Sequence, residues 1–150
     1  MLQFPVHIPF VERLGLELHR FDGGQAELQL DLDTAHLNSW QVAHGGVLMT
    51  LLDVAMAHAA RSLHSKEPGH GRGVVTVEMK TSFMRPAEGR LVAKGSLLHR
   101  STTMAFCEGS VFDARQQLCA HATGTFKYLR ALPTTRGRAT KRLQRQDDAA

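Results

Sequence analysis

At 150 residues the chain has the size of one domain, and such a domain folds without a stabilising metal or disulfide. Its formal net charge of +4 is not spread evenly. Residues 1–128 hold twelve Lys and Arg against twelve Asp and Glu, whereas residues 129–150 hold six against two. The balanced part argues against nucleic-acid binding, and no aromatic side chain follows Tyr128 to stack on a base.

The apolar and polar pattern predicts two strands and then one long helix. Residues 9–14 suit a short helix or turn. A hairpin is expected over residues 16–32, because residues 22–24 are a turn signal and the positions after it alternate between apolar and polar. Residues 34–43 read as a loop. Residues 46–64 predict a helix that is apolar on nearly every face, so we expect other elements to surround it.

The second half of the chain predicts strands. Three short connections in a row favour an antiparallel meander of four β-rich segments: residues 74–84, 89–98, 102–113 and 117–128. The order of elements predicts an α+β domain with a sheet wrapped around one central helix. We expect this domain to span residues 1–132, with a mobile connection at residues 66–73. The Arg-rich, apolar-poor residues 133–150 predict a disordered basic tail.

The two cysteines are expected to be free thiols. Cys107 and Cys119 fall in the two arms of the last predicted hairpin, with Cys107 opposite Ala122 and Cys119 opposite Ser110. This register would separate their Cα atoms by about 10 Å, beyond the reach of a disulfide.

Reduced thiols favour a cytoplasmic protein. The N-terminal residues do not resemble a signal peptide. The longest apolar run, residues 45–60, is too short for a membrane span and is interrupted by Asp53.

Asp53 is the feature of the central helix that most needs an explanation. It is the only acidic residue between His36 and Arg61, and the helix must carry it into an interior or a cleft. Burying an ionised carboxylate is costly unless it is paired or hydrogen-bonded. Such a group can activate water or attack an acyl carbon. The structural alternative is an aspartate bonded to backbone or hydroxyl groups that only specifies the fold.

Five short motifs follow one another at defined spacings. The chain resembles the PaaI-type acyl-CoA thioesterases, which have the hotdog fold, over roughly residues 36–128. The motifs that carry the resemblance are His36-Leu37-Asn38, His44-Gly45-Gly46, Leu51-Leu52-Asp53, Val75-Thr76-Val77-Glu78-Met79 and Phe83-Met84-Arg85-Pro86-Ala87. One position departs: Gln41, beside Trp40, stands where the family commonly has glycine. We therefore expect a differently shaped loop at the pocket mouth.

The resemblance implies hydrolysis of an acyl-CoA or aryl-CoA thioester to a carboxylic acid and coenzyme A. No metal or redox cofactor is implied, because coenzyme A is part of the substrate. Asp53 would be the general base or the nucleophile, and Thr76 would lie near it. Asn38 and His44 would orient the water or the carboxylate and support the thioester.

A helix N-terminus suits a developing oxyanion, so Gly45 would supply an N–H donor there. The family's pantetheine and nucleotide path matches Phe83 and the turn that contains Arg100, Ser101 and Thr102, and Gly46 is also expected to contact the substrate. Arg85 and Arg100 could meet phosphates, although exposed arginines are usually only solvated charge. These residues also have simpler explanations. Asn38 could cap a local turn, His44 could pack against the helix start, and the glycines could serve only a turn.

The spacing of residues along the helix predicts that a second copy of the chain contributes to the site. Asp53 lies eight residues after Gly45, which is about 12 Å along a helix axis. One thioester carbon can hardly contact both in the same chain, whereas a two-fold dimer brings two helices past each other. The resemblance implies the same shared site, so we expect a homodimer within a dimer of dimers. A hotdog hydratase or dehydratase and a non-catalytic acyl-CoA-binding module are the competing hypotheses.

Overall fold

A six-stranded antiparallel sheet packs against one long helix. The structure is a computed structural model, and it describes residues 1–66, 72–133 and 140–142. Its helices are α1 (Pro9–Leu14) and α2 (Gly45–Ser62), with a 3₁₀ turn at Thr34–His36. Its strands are β1 (Glu17–Asp22), β2 (Gln25–Asp31), β3 (Gly73–Phe83), β4 (Arg90–Arg100), β5 (Met104–Phe112), β6 (Leu118–Leu129), β7 (Ala131–Pro133) and β8 (Thr140–Arg142).

The helix α2 contacts all six strands of the main sheet. The sheet order is β1-β2-β4-β5-β6-β3, and every neighbouring pair is antiparallel. Gly95 on β4 lets strand and helix approach closely, because a Cβ there would lie 2.4 Å from the Ala55 carbonyl oxygen. A sheet wrapped around a central helix, the predicted hotdog fold, is therefore confirmed.

The predicted four-stranded meander is wrong in one respect. Strands β4, β5 and β6 follow one another, but β3 lies at the far edge and pairs with β6. Residues 84–89 cross the end of the sheet in between. The Met84 N–H donates to the Cys119 carbonyl at 2.8 Å, and the Ala87 carbonyl accepts from Ala43 N–H at 3.0 Å. These tertiary bonds hold a short connection open where the sequence favours a tight hairpin.

The last hairpin forms, but its predicted register is wrong. Cys107 lies opposite Gly124, and Ser110 lies opposite His121. The cause is the loop, where the Asp113 carboxylate accepts the N–H groups of residues 115 and 117, each at 2.9 Å, and a bulge follows in the strand pairing. Both cysteines are buried free thiols, as predicted.

Helix α2 is not covered on every side, contrary to the prediction from its apolar sequence. Gly46 and Met49 are exposed, and Thr50, Asp53 and Ala57 are partly exposed. Residues three or four apart on a helix lie on one face, so these positions form one stripe, which we call the open face of α2. The sheet of a single chain covers the rest of the helix and leaves this face uncovered.

The C-terminal part adds a small second sheet. Strand β8 pairs with β7, so a three-residue strand falls within the predicted tail. The remaining tail residues, 134–139 and 143–150, and residues 67–71 of the predicted mobile connection lie outside the described residues. Their predicted disorder and mobility stay predictions. Among the described helices, none has the length and apolar character needed to cross a membrane.

Candidate active site

The loop before α2 is organised by the Asn38 side chain. Its Oδ1 accepts the Trp40 N–H at 2.8 Å and the Val42 N–H at 3.4 Å. The backbone N–H of Asn38 donates to the Val42 carbonyl at 2.8 Å. The Asn38 oxygen thus caps a local turn, which is the simpler of the two explanations for this residue. No acceptor in the described part of the chain takes its amide NH₂, which remains available to a ligand.

Gln41 retains the backbone conformation that glycine would favour. Its φ is 62°, in the left-handed region. The turn therefore keeps a left-handed backbone conformation at this position. The expected difference at the pocket mouth lies in the side chains and in the strain of a non-glycine residue. The neighbouring Trp40 is 84% exposed.

His44 caps the helix, and this determines which backbone donor remains free. Its Nδ1 accepts the Gly46 N–H at 2.9 Å, so a neutral ring carries its proton on Nε2. The His44 carbonyl accepts the N–H groups of Val47 and Leu48 at 2.9 and 3.3 Å. The Gly45 N–H has no acceptor among residues 1–66, 72–133 and 140–142. Of the two predicted glycines, only Gly45 offers a free N–H.

Asp53 lies on the open face of α2, half-buried and hydrogen-bonded. The Thr76 hydroxyl on β3 donates to its Oδ1 at 2.6 Å. Burial raises the pKa of Asp53, and the bond from Thr76 opposes that rise. The structure therefore brings Thr76 to the carboxylate, as the resemblance implied.

The helix start and Asp53 remain apart within one chain. Both belong to the single helix Gly45–Ser62, so the rise of about 1.5 Å per residue separates them by about 12 Å. The predicted catalytic residues thus form two groups in the structure. Asn38, His44 and Gly45 lie at the helix start, and Asp53 lies with Thr76 near its middle.

Two cavities flank the start of α2. One, of about 350 Å³, has among its lining Asn38, Gly45, Phe83 and Arg85; we call it the Asn38 cavity. The other is a groove of about 450 Å³ between α1 and α2, which we call the α1 groove. It is lined by Phe10, Leu14, Ala35, Leu37, His44, Gly46, Val47 and Thr50. Consecutive residues of one motif therefore face two different spaces.

A third space lies beyond the C-terminal end of α2. This cleft of about 570 Å³ is lined by His64, Arg72, Arg100, Ser101, Thr102 and Arg130, and we call it the arginine cleft. The Arg72 guanidinium donates to the Thr102 carbonyl at 3.0 Å. No Asp or Glu of the described residues lines the cleft.

Only half of the arginine cleft was expected from the sequence. Arg100, Ser101 and Thr102 were predicted, whereas Arg72, Arg130 and His64 were not. Arg72 and Arg130 become neighbours through the pairing of Gly73 with Leu129, which joins β3 to β6. Since the sequence favoured a different partner for β3, it held no signal that the two arginines meet.

Residues 41–120 match the model of the thioesterase superfamily, which is more than half of the chain. The chain belongs to the thioesterase superfamily. Among its relatives, the medium/long-chain acyl-CoA thioesterase YigI of Salmonella typhimurium is 29% identical over 136 residues, covering 82% of this chain and 87% of YigI. The thioesterase is thus a thioester hydrolase of the PaaI-type hotdog class, as the sequence predicted.

Solved structures agree with this family. A conserved protein of Pseudomonas aeruginosa superposes with a TM-score of 0.76 at 31% identity, covering 83% of this thioesterase and 97% of that chain. An Asn-to-Asp mutant of the phenylacetic acid degradation protein PaaI from Thermus thermophilus superposes with a TM-score of 0.70 at 28% identity, covering 81% and 100%. The PaaI protein of Escherichia coli has the same fold, with a TM-score of 0.72 at 24% identity, covering 80% and 83%.

Proposed function

We propose that this thioesterase hydrolyses acyl-CoA or aryl-CoA thioesters to a carboxylic acid and coenzyme A. The observation that carries the proposal is Asp53, a half-buried carboxylate on the open face of a largely apolar helix, bonded to Thr76. Its raised pKa is suited to a group that exchanges protons. The acyl-CoA thioesterase activity in the name of the YigI relative supports coenzyme A as the carrier.

The proposed site needs two copies of the chain. Strand β3 is eleven residues long and pairs with β6 on one side, while no described strand pairs with its other edge. Val77 on this strand is 55% exposed. A long unpaired edge is a template for a second strand. Pairing two β3 strands across a two-fold axis would continue the sheet and bring the open faces of the two helices towards each other.

In such a dimer the carbonyl oxygen of the thioester accepts the Gly45 N–H at the positive end of α2. Asp53 of the partner subunit lies across from it. As a general base it takes a proton from water while the water oxygen attacks the carbonyl carbon. The C–S bond then breaks, and the thiolate of coenzyme A takes up the proton. As a nucleophile it attacks the carbonyl carbon, the C–S bond breaks, and coenzyme A leaves as a thiolate. Water then hydrolyses the mixed anhydride, which returns the Asp53 carboxylate, releases the carboxylic acid and supplies the proton that the thiolate takes up.

The phosphates of coenzyme A fit the arginine cleft. Three guanidinium groups, with no carboxylate among the described lining residues, favour a phosphate by charge-assisted hydrogen bonds. His64 of this cleft follows the end of α2 at Ser62, which lies nine residues after Asp53, or about 13.5 Å along the helix axis. The extended pantetheine arm separates the phosphates from the thioester, so the negative phosphates stay away from the acidic group.

A panel of acyl-CoA and aryl-CoA thioesters, assayed for free thiol, tests the activity. We expect wild-type turnover and a loss of about 10²- to 10⁴-fold in kcat for Asp53→Asn, with unchanged circular dichroism and oligomeric mass. Wild-type rates in this variant would overturn the role of Asp53. Binding without thiol release would indicate a binding module, and water addition to an enoyl thioester would indicate a hydratase.

Mixed dimers test the shared site. Asp53→Asn removes the acid, and Gly45→Pro removes the N–H donor while keeping the helix, since proline suits a first helical position. Each variant alone should be nearly inactive. A heterodimer of the two has one intact site and should recover about half of the wild-type activity per dimer. The mixed dimer is formed by co-refolding and confirmed by mass. If it stays inactive, both groups act within one chain.

A further inference from the structure

The α1 groove has the character of a site for an aliphatic chain. Apolar side chains from three segments line it: Phe10 and Leu14 from α1, Ala35 and Leu37 from the 3₁₀ segment, and Val47 from α2. In the described structure, no Asp, Glu, Lys or Arg is part of its lining. The Thr50 hydroxyl already donates to the Gly46 carbonyl at 2.8 Å. Little in the groove therefore calls for a polar ligand.

The wall of this groove is built by the fold. Val11, 2% exposed, anchors α1 in the core. The buried ring of His36 bonds the Leu14 carbonyl through Nε2 at 2.9 Å, which fastens α1 to the 3₁₀ segment. Phe10, on the same short helix, is nevertheless 63% exposed. Exposed apolar surface beside a functional site commonly marks a binding surface.

The groove also begins where the acyl chain would extend from the reacting carbon. Gly45 lines the Asn38 cavity, whereas the adjacent His44 and Gly46 line the α1 groove. A thioester held at the Gly45 N–H extends in two directions, through its acyl chain and through the pantetheine arm of coenzyme A. The helix start has one space on each side. The Asn38 cavity, with a free amide NH₂ and Arg85, suits the amide-bearing pantetheine arm. The apolar groove suits the other arm.

We propose that the α1 groove is the acyl-chain subsite of this thioesterase and that it takes an aliphatic chain. Phe10, Leu14 and Leu37 contact the chain, and the extent of the groove limits its length. The proposal rests on the function proposed above. Each methylene buried in the groove is expected to raise kcat/KM about fourfold until the groove is full.

Rates for a series of saturated acyl-CoA thioesters, from acetyl to palmitoyl, test the subsite. Ala35→Phe places a ring in the groove from an exposed rim position, and the ratio of long-chain to short-chain kcat/KM should fall at least tenfold. Phe10→Ala removes an exposed wall and should lower the same ratio by a smaller factor. The matched control Ala114→Phe adds a ring at an exposed alanine of the β5–β6 loop and should leave all rates unchanged.

The outcomes separate the two proposals. A wild type that releases no thiol from any member of the series overturns the proposed function itself. Thiol release with a chain-length profile unchanged in both Ala35→Phe and Phe10→Ala overturns only the subsite. An equal loss at every chain length in both variants would also overturn it, because a length-dependent contact must distinguish the substrates.

Discussion

The start of α2 and its middle contribute to the candidate site in different ways. At the start, Asn38 and His44 are held by backbone groups two to four residues away. In the middle, Asp53 is held by Thr76, which lies 23 residues further along the chain on another element. The donor end is therefore set by local sequence, whereas the environment of the acid depends on the tertiary fold.

The two regions are also complementary in charge. The free Gly45 N–H lies at the positive end of the helix dipole, where an oxyanion is stabilised. Asp53 is a potential anion whose pKa is raised by burial on the open face. Neither region completes a hydrolytic site alone, and a single chain keeps them about 12 Å apart. Variants that alter one region without the other test this division.

Among the variants that leave Asp53 intact, the largest effect is expected from removing the donor at the helix start. Gly45→Pro should lower kcat by about 10²- to 10³-fold, the usual result of losing one oxyanion donor. His44 already has the extended backbone that a residue before proline requires. Gly45→Ala is the matched control, because it keeps the N–H and its Cβ would contact the Phe83 ring at an ordinary 3.5 Å. Equal losses in the two variants, measured by steady-state kinetics, would argue against the oxyanion role.

A smaller effect, confined to acid pH, is expected at the middle of the helix. The Thr76 bond lowers the pKa of Asp53, so Thr76→Val should raise that pKa further. Since the reaction requires the ionised carboxylate, the acid limb of kcat/KM should move to higher pH. The loss of kcat/KM relative to the wild type should then be greatest at acid pH and least at alkaline pH. Thr76→Ser keeps the hydroxyl and should keep the profile; a Val variant with an unshifted limb would contradict the assignment.

The smallest effect is expected in the turn before the helix. Gln41 and Gln116 both have φ of 62°, and a non-glycine residue is strained there. Each change to glycine should raise the free energy of unfolding by up to about 1 kcal/mol, measured by urea denaturation. Only Gln41→Gly, in the loop that carries Asn38, should also alter kcat/KM. Equal kcat/KM in both variants would show that this loop does not affect catalysis.

Local signals explain why much of the fold could be predicted. The Asp22-Gly23-Gly24 turn and the alternation after it predicted the β1–β2 hairpin, which the structure confirms. Helix α2 forms one residue earlier than predicted and ends two residues earlier. Asp53 attracted attention by its chemistry alone, as a carboxylate in an apolar helix.

Two of the misses, the place of β3 and the arginine cleft, share one physical origin, which is contact between residues distant in sequence. The edge position of β3 depends on hydrogen bonds of residues 84–87 to Cys119 and Ala43. The arginine cleft depends in turn on that edge position, since β3 and β6 must pair to join Arg72 with Arg130. The hairpin register depends on how the Asp113 carboxylate closes its loop.

The sequence by itself determined the element types, the place where α2 begins and the single carboxylate that this helix carries, because these depend on propensity, periodicity and neighbours within a few residues. Only the tertiary structure decided that one face of α2 stays open in a single chain and that two unlike cavities flank the helix start. These features arise from long-range packing, whose energies no local pattern encodes.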